Sequence, residues 1–321
     1  MALADLGVLV VGIALVSGGA DALVRGGSRL ARALGVSPLF IGLTVAALGT
    51  SLPEVVVSVT AAYEGATQVA IGNVVGSNVL NILGVLGPAA LVVPLAIDDA
   101  VARAEIPTMI VAGLAFTVLS WNGVLGRVEG VVLVAGVIAY TAIRYKVARG
   151  RVERLAADEV PDRPSRREVL VAVGMVVAGA LALTFGGPLV VDGAVGIAEQ
   201  TGVSERLIAV VLVAGGTTVP ELATVFAAVW RDRVNLGVGN VVGSCIFNLL
   251  LVAGLSAVVR PLAVVPDALR VEIPAMLLAM VALLPMAASS QEFSRLEGAI
   301  LTVGLVVYLA VIASGLGMTP F

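Results

Sequence analysis

Hydrophobic residues fall in long blocks separated by polar breaks from one end of the chain to the other. Ten blocks can be drawn, at roughly 3–20, 36–62, 67–93, 104–120, 127–145, 168–190, 203–230, 236–258, 271–288 and 296–315. A helix needs about 20 mostly apolar residues to cross a bilayer, so each block predicts one spanning helix. Only one break is long and charged. It runs from Arg144 to Arg167 and holds Lys146, Arg149, Arg151, Arg154, Arg163 and Arg166 as well. It predicts a solvent-exposed loop at 146–167 between two hydrophobic halves, 1–145 and 168–321. The segment from Met1 to Leu15 lacks a positive start and carries Asp5, so it reads as a retained first span rather than a signal peptide.

Composition strengthens this reading. Of 321 residues, 59% are hydrophobic and 13% charged, and the mean hydropathy is +1.09. A soluble domain carries about a quarter charged residues. The expected class is an all-α polytopic protein of a cell membrane (inner or plasma). Lysine and arginine concentrate in cytoplasmic loops. With the central loop inside and the spans alternating, Arg25, Arg29, Arg32, Arg103, Arg231, Arg233, Arg295 and the central cluster share that side, 15 of the 19 basic residues. Arg127, Arg206, Arg260 and Arg270 fall on the other. Arg144, at the edge of its span, reads as snorkelling to the inner side. Both termini are then outside.

The residues that are missing narrow the chemistry. There is no histidine, which removes imidazole-assisted nucleophiles, HExxH zinc sites and imidazole proton relays. The single cysteine, Cys245, excludes an internal disulfide or a CxxC site. No span carries a Ser–Lys pair or paired aspartates, so an intramembrane enzyme has nothing to work with, and no resident cofactor is expected. A net charge of −3 with no basic cluster among aromatics excludes a nucleic-acid partner. The bilayer is the one partner surface implied, and no obligatory protein partner is evident.

The halves repeat. Gly72-Asn73-Val74-Val75-Gly76-Ser77 recurs letter for letter as Gly239-Asn240-Val241-Val242-Gly243-Ser244, a shift of 167. The same shift carries Thr50 to Thr217, Pro53-Glu54 to Pro220-Glu221, Asn81 to Asn248, and Glu105-Ile106-Pro107 to Glu272-Ile273-Pro274. Five spans per half is an odd number, so the second half enters the membrane from the opposite side. The expected architecture is ten transmembrane helices as two inverted five-helix repeats, a plan used by secondary transporters with a site at the repeat interface.

Two motifs carry chemistry. In Ala47-Leu48-Gly49-Thr50-Ser51-Leu52-Pro53-Glu54, proline lacks an N–H and clashes with the preceding turn, which predicts a kink and freed carbonyls near Ala47 to Gly49. Such carbonyls need a partner in a bilayer, and a cation is one candidate. Thr50 and Ser51 share a helical face with Glu54. The second half repeats the set as Ala214, Gly216, Thr217, Thr218, Pro220 and Glu221. Ser77 and Asn81, like Ser244 and Asn248, lie four apart and so one turn apart on one face. All these groups are hard oxygens, as Na⁺ and Ca²⁺ require, and Ca²⁺ takes six to eight. An ionised glutamate at mid-membrane costs several kcal/mol unless paired, and no basic residue lies in the core of these spans. A bound cation supplies the missing charge.

Other features have structural readings. Gly72/Gly76 and Gly239/Gly243 form GxxxG pairs that predict close helix packing. Asn73 and Asn240 stay open between interhelical hydrogen bonding and ion contact. Glu105 and Glu272 read as acids at helix starts with proline in the first turn. Glu129, Glu297 and Asp21, beside Arg25, read likewise at interfaces. Cys245 stands where the first half has Asn78 and reads as a small packing residue.

GTSLPE followed by GNVVGSNVLNILG, and GTTVPE followed by GNVVGSCIFNLLLVAG, resemble the two alpha repeats of the cation/Ca²⁺ antiporter superfamily, and most of all its prokaryotic Na⁺/Ca²⁺ exchangers. The similarity is dense over 42–87 and 209–254. It implies an antiporter that exchanges Ca²⁺ for Na⁺ by alternating access, the first and sixth spans sliding against a rigid core. It also implies a midplane ion site built from Glu54 and Glu221, from Thr50 and Thr217, from Ser51, Thr218, Ser77 and Ser244, from the carbonyls of Ala47 and Ala214, and from Asn81 and Asn248. Archaeal relatives often carry aspartate where this chain has Asn248. Two carboxylates balance one Ca²⁺ or two Na⁺, and a third Na⁺ would leave a net positive centre. An H⁺/Ca²⁺ or K⁺-dependent antiporter of the same fold, and a cation channel, are the alternatives.

Overall fold

The computed structural model describes residues 2–155, 165–200, 216–290 and 292–314. Long apolar stretches satisfy their own backbone as helices, which is what a bilayer demands of a spanning segment. Breakers set the ends. In chain order the helices are α1 (Ala2–Leu34), α2 (Pro38–Thr50), α3 (Leu52–Glu64), α4 (Thr67–Val92), α5 (Val101–Leu119), α6 (Arg127–Leu155), α7 (Arg166–Gln200), α8 (Val219–Trp230), α9 (Val234–Val259), α10 (Ala268–Ala288) and α11 (Arg295–Ser314). Among the described residues, eight helices are long and apolar enough to cross a membrane, and α2 with α3 forms a ninth span bent by 45°. The chain is an all-helical, multi-pass membrane protein. Helix α8 is the described part of the block at 203–230; residues 201–215 lie outside the described residues.

Four strands of two residues each clip the loops together. Strand β1 (Leu95–Ala96) pairs antiparallel with β4 (Glu292–Phe293), and β2 (Val124–Leu125) with β3 (Leu262–Ala263). Each clip joins a loop of the first half to a loop of the second. Helices α4 and α9 are the most deeply buried spans and run through the main hydrophobic core. A second apolar cluster joins α1 and α7 to Ala228 and Leu236.

Helices α1 and α7 meet along a seam of glycines. Gly12, Gly19 and Gly26 recur every seven residues, and so do Gly179, Gly186 and Gly193, shifted by 167. A methyl group on Gly19 would lie 2.9 Å from Ala182 Cβ, and one on Gly179 would lie 2.7 Å from the backbone of Gly19 and Leu23. The two backbones approach as closely as small residues allow, the usual way to gain dispersion contact in lipid. Of the GxxxG pairs, Gly239 and Gly243 pack closely, against Leu39, Leu43 and Ala47 of α2.

Several local expectations are corrected. Helix α1 is unbroken to Leu34, so Arg25, Arg29 and Arg32 sit on a helix rather than in a loop. Asp21, in its middle, binds Arg25 at 2.9 Å and also Arg231 at the end of α8. Glu105 does not start a helix. Asp98 caps the amide of Ala100 at 2.8 Å about two turns earlier, and α5 already begins at Val101. Glu272 likewise lies inside α10. Glu297, by contrast, does cap: it accepts from the Ser294 amide at 2.7 Å, and Ser294 Oγ accepts from the Glu297 amide in return.

Glu105 is instead the partner of Arg144. Arg144 Nε lies 3.0 Å from Glu105 Oε1, Tyr140 donates to Oε2 at 3.1 Å, and the guanidinium sits over the tyrosine ring. The arginine is 15% exposed and the glutamate 2%, so Arg144 turns inward rather than snorkelling. Removing one partner of a buried pair strands the other charge and costs about 3–5 kcal/mol, whereas replacing both by apolar groups can be neutral. Arg144→Met should therefore lower the melting temperature of the purified protein sharply, and Glu105→Leu/Arg144→Met should recover most of it. A double variant as unstable as the single one would contradict this account.

Candidate functional site

The bend between α2 and α3 falls at Ser51, two residues before Pro53, and Ser51 adopts φ −82° and ψ 6°. The turn ahead of α8 is its counterpart, with Thr218 at φ −87° and ψ −9° before Val219 and Pro220. Because proline brings no N–H, each bend lets the next helix start afresh, with Glu54 or Glu221 in its first turn. The sequence predicts a freed carbonyl at Ala47, but that carbonyl accepts from the Ser51 amide at 2.9 Å and from the Thr50 hydroxyl at 3.3 Å. Proline instead removes the donor that a regular helix would send back to Gly49.

Opposite the bends run α4 and α9. Each contains a π-helical stretch, Leu80–Leu86 in α4 and Asn248–Val252 in α9. Such wider turns are often found at functional sites. They carry Asn81 and Asn248, and they pack crosswise: the turn of Asn81 lies against α8, and the turn of Asn248 against α3.

The hydroxyl and amide groups cross-pair between the halves. Thr50 Oγ1 lies 3.2 Å from Ser244 Oγ and donates to Asn240 Oδ1 at 3.1 Å. In the mirror arrangement, Ser77 Oγ lies 3.1 Å from Thr217 Oγ1, which donates to Asn73 Oδ1 at 3.3 Å. Ser244 donates to Glu221 Oε1 at 3.2 Å. Asn73 Nδ2 donates to Ser58 Oγ at 2.8 Å and to the Glu54 carbonyl at 3.4 Å.

Glu54, Glu221, Asn81 and Asn248 are all fully buried, and Ser51 is 1% exposed. Yet both carboxylate oxygens of Glu54, Oε2 of Glu221, the whole carboxamides of Asn81 and Asn248, and the hydroxyls of Ser51 and Thr218 have no hydrogen-bond partner. Glu54 and Glu221 lie within reach of each other's charge, with Thr217 and Ser77 facing Glu54 and with Thr50 and Ser51 facing Glu221. No basic side chain forms an ion pair with either among the described residues. Buried polar groups are almost always satisfied, so so many unsatisfied oxygens around two like charges mark a place for a cation. The two carboxylates are too few for a three-acid metal cluster, and none is found among the described residues.

The structure thus gathers Thr50, Glu54, Ser77, Thr217, Glu221 and Ser244 in one network, with Ser51 beside Glu221. Asn81, Asn248 and Thr218 stand buried on the adjoining turns. Ala214 lies outside the described residues. Cys245 is fully buried, with its sulfur 4.0 Å from the Asn78 carbonyl, as a packing residue would be. Ser58 was not among the sequence-derived candidates. Its sequence signal is a hydroxyl one turn after Glu54 on the same helix.

The family model described as sodium/calcium exchanger protein matches residues 5–146 and 171–313. The inner membrane protein YrbG of Escherichia coli is 35% identical over 311 residues, covering 95% of each chain. The sodium/calcium exchanger MaX1 of Methanosarcina acetivorans is 29% identical, covering 95% of this chain and 97% of its own. A solved structure of the sodium-calcium exchanger NCX_Mj, soaked with Na⁺ and Sr²⁺, superposes with a TM-score of 0.83 at 29% identity, over 97% of this chain and 99% of that one. With both halves matched by the family model and the fold shared from end to end, this chain belongs to the sodium/calcium exchanger family of membrane cation antiporters.

Proposed function

We propose that the chain exchanges Ca²⁺ for Na⁺ by alternating access, with Glu54 and Glu221 as the charged ligands of a shared midplane site. The observation that carries this reading is the pair of fully buried carboxylates ringed by unpartnered oxygens with no basic counter-ion. Thr50, Ser51, Ser77, Thr217, Thr218, Ser244, Asn81 and Asn248 would add hydroxyl and amide oxygens, and Ala214 a backbone carbonyl; the Ala47 carbonyl, which keeps its Ser51 amide, would join them once the Thr50 hydroxyl turns to Asn240. The ions are cargo, and no resident cofactor is needed. Two negative charges balance one Ca²⁺ or two Na⁺, which makes the two loads mutually exclusive, and mutual exclusion is what exchange requires.

In this reading the molecule has ten spans in two inverted repeats, 1–145 and 168–321. The loop at 146–167 is cytoplasmic and both termini are outside. The crosswise pairing of β1 with β4 and of β2 with β3 supports it, since each clip joins two loops that the charge pattern puts on the same side. The matched π-helical stretches Val101–Glu105 and Ala268–Glu272, again 167 apart, support it too.

The test is ⁴⁵Ca²⁺ uptake into vesicles loaded with Na⁺ and reconstituted with the purified protein. Uptake should require the outward Na⁺ gradient and collapse when external Na⁺ matches internal. Uptake driven by a pH gradient at equal Na⁺ would replace this reading by proton antiport through the same carboxylates. Uptake with no countertransported ion would replace it by a channel.

A further inference from the structure

Helices α1 and α7, joined along their glycine seam, share the apolar cluster that stands apart from the main core. Helix α8 meets this pair with a smooth face. Val219, Ala223 and Ala227 recur every four residues along one side of it, and all three pack against that cluster. Such short side chains interlock little, so the contact opposes sliding along the helix axis only weakly. The next position in the series is Arg231, and there the face is tied. The Arg231 guanidinium binds the Asp21 carboxylate of α1.

The tie is built so that it can be undone. Asp21 holds two guanidinium groups at once, Arg231 across the boundary and Arg25 one turn along its own helix at 2.9 Å. Taking away the sole partner of a carboxylate would strand its charge. Here Arg25 travels with Asp21, so the carboxylate stays paired wherever α1 goes. Arg231 follows the last turn of α8 and its side chain is 33% exposed, so a released guanidinium reaches water.

The other half lacks the residues for such a tie. The positions 167 residues from Asp21, Arg25 and Arg231 are Pro188, Asp192 and Glu64. Where α7 meets α3, a proline and two acids replace one acid and two arginines. The device belongs to one side of the molecule, the inner side in the topology proposed above.

We propose that the Asp21–Arg231 pair is a releasable latch between the α1–α7 body and α8, opened and closed once in each exchange cycle. Arg25 keeps the Asp21 charge paired while the latch is open. The inference rests on the exchange reading above and adds to it the bond that holds one of its two arrangements in place.

The experiment puts a thiol on the covered face of α8 by Ala223→Cys in a Cys245→Ser background. Its rate of labelling by a water-soluble maleimide is followed in the purified protein. Position 223 lies about two turns from Arg231, too far to be uncovered by loss of that side chain alone. Asp21→Asn and Arg231→Gln should each speed labelling about fivefold, the upper range for a partly exposed ion pair. The double variant should be no faster than either single one, because both remove the same bond. Arg231→Lys, which keeps the charge, should label at the parent rate. A merely structural bond would lower the melting temperature and leave labelling of the folded protein unchanged. That result, or two effects that multiply in the double variant, would overturn the latch alone, provided that the wild type takes up ⁴⁵Ca²⁺ against Na⁺. A wild type without Na⁺-driven uptake would overturn the exchange reading and this inference with it.

Discussion

Glu54→Gln and Glu221→Gln should each reduce Na⁺-driven Ca²⁺ uptake about 100-fold or more while leaving a folded protein. The size follows from charge. At about 4 Å and an effective dielectric near 20, one unit charge interacts with another by about 4 kcal/mol, and a divalent ion doubles that. Glutamine keeps the shape and one carbonyl oxygen but none of the charge. Even after part of this is offset by easier desolvation, roughly 3 kcal/mol remains, which is about two decades of affinity. The fold should not suffer. Each glutamate is buried with at least one unpartnered carboxylate oxygen, so neutralising it removes a desolvation penalty, and the glutamine carbonyl at 221 can still accept from Ser244.

That contrast supplies a second readout. A ligand that binds only the folded state stabilises it, by about 2.7 kcal/mol at 100 times its dissociation constant. Added Ca²⁺ should therefore raise the melting temperature of the wild type and leave both glutamine variants almost unmoved. In the absence of divalent cations the variants should be at least as stable as the wild type. Uptake within about threefold of wild type in either variant would sink the assignment of that carboxylate.

Why was the site so legible and its support so little? The helices follow from block length and polarity, which a bilayer makes nearly decisive. The two glutamates, the threonines and the serines could be picked because each occurs twice, in the same setting, at one fixed offset. What decides Asn73 against Asn240 is different in kind. A carboxamide takes its role from the groups that cross it, here Ser58 in one half and Val225 in the other, and those contacts exist only once the helices are packed. The π-helical turns at Asn81 and Asn248 leave no mark in composition, because an extra residue per turn changes no side chain. Arg144 was misread for a related reason. At the end of an apolar block a lone arginine looks like an interfacial anchor, and its partner Glu105 looks like a helix start, until α5 and α6 are laid side by side. The freed carbonyl expected at Ala47 failed locally, since the bend opens at Ser51 and the turn before it closes normally.

The glycine seam between α1 and α7 was also present in the sequence, as a spacing of seven repeated at an offset of 167. Its consequence is the second large effect. On the exposed side of α1, Gly18 has no atom within 4 Å of an added methyl, while its neighbour Gly19 would drive that methyl to 2.9 Å from Ala182 Cβ. Gly18→Ala should therefore be neutral or stabilising, since alanine in a helix interior is favoured over glycine by about 0.5–1 kcal/mol. Gly19→Ala should be destabilising, by the roughly 1–3 kcal/mol of an overpacked interior. Gly179→Ala should be worse, because the atoms its methyl meets at 2.7 Å are the backbone of Gly19 and Leu23, which cannot rotate away. Gly174→Ala on the exposed face of α7 is the matching control, again with open space around it. The measurement is the fraction of monodisperse protein left after heating in detergent. If α1 and α7 travel as one body during transport, Gly179→Ala should also slow exchange at temperatures where the variant is still folded, because the seam that makes them one body has been prised apart. Equal loss in Gly18→Ala and Gly179→Ala would mean that the helices do not meet along this line, and the unit that slides would have to be drawn differently.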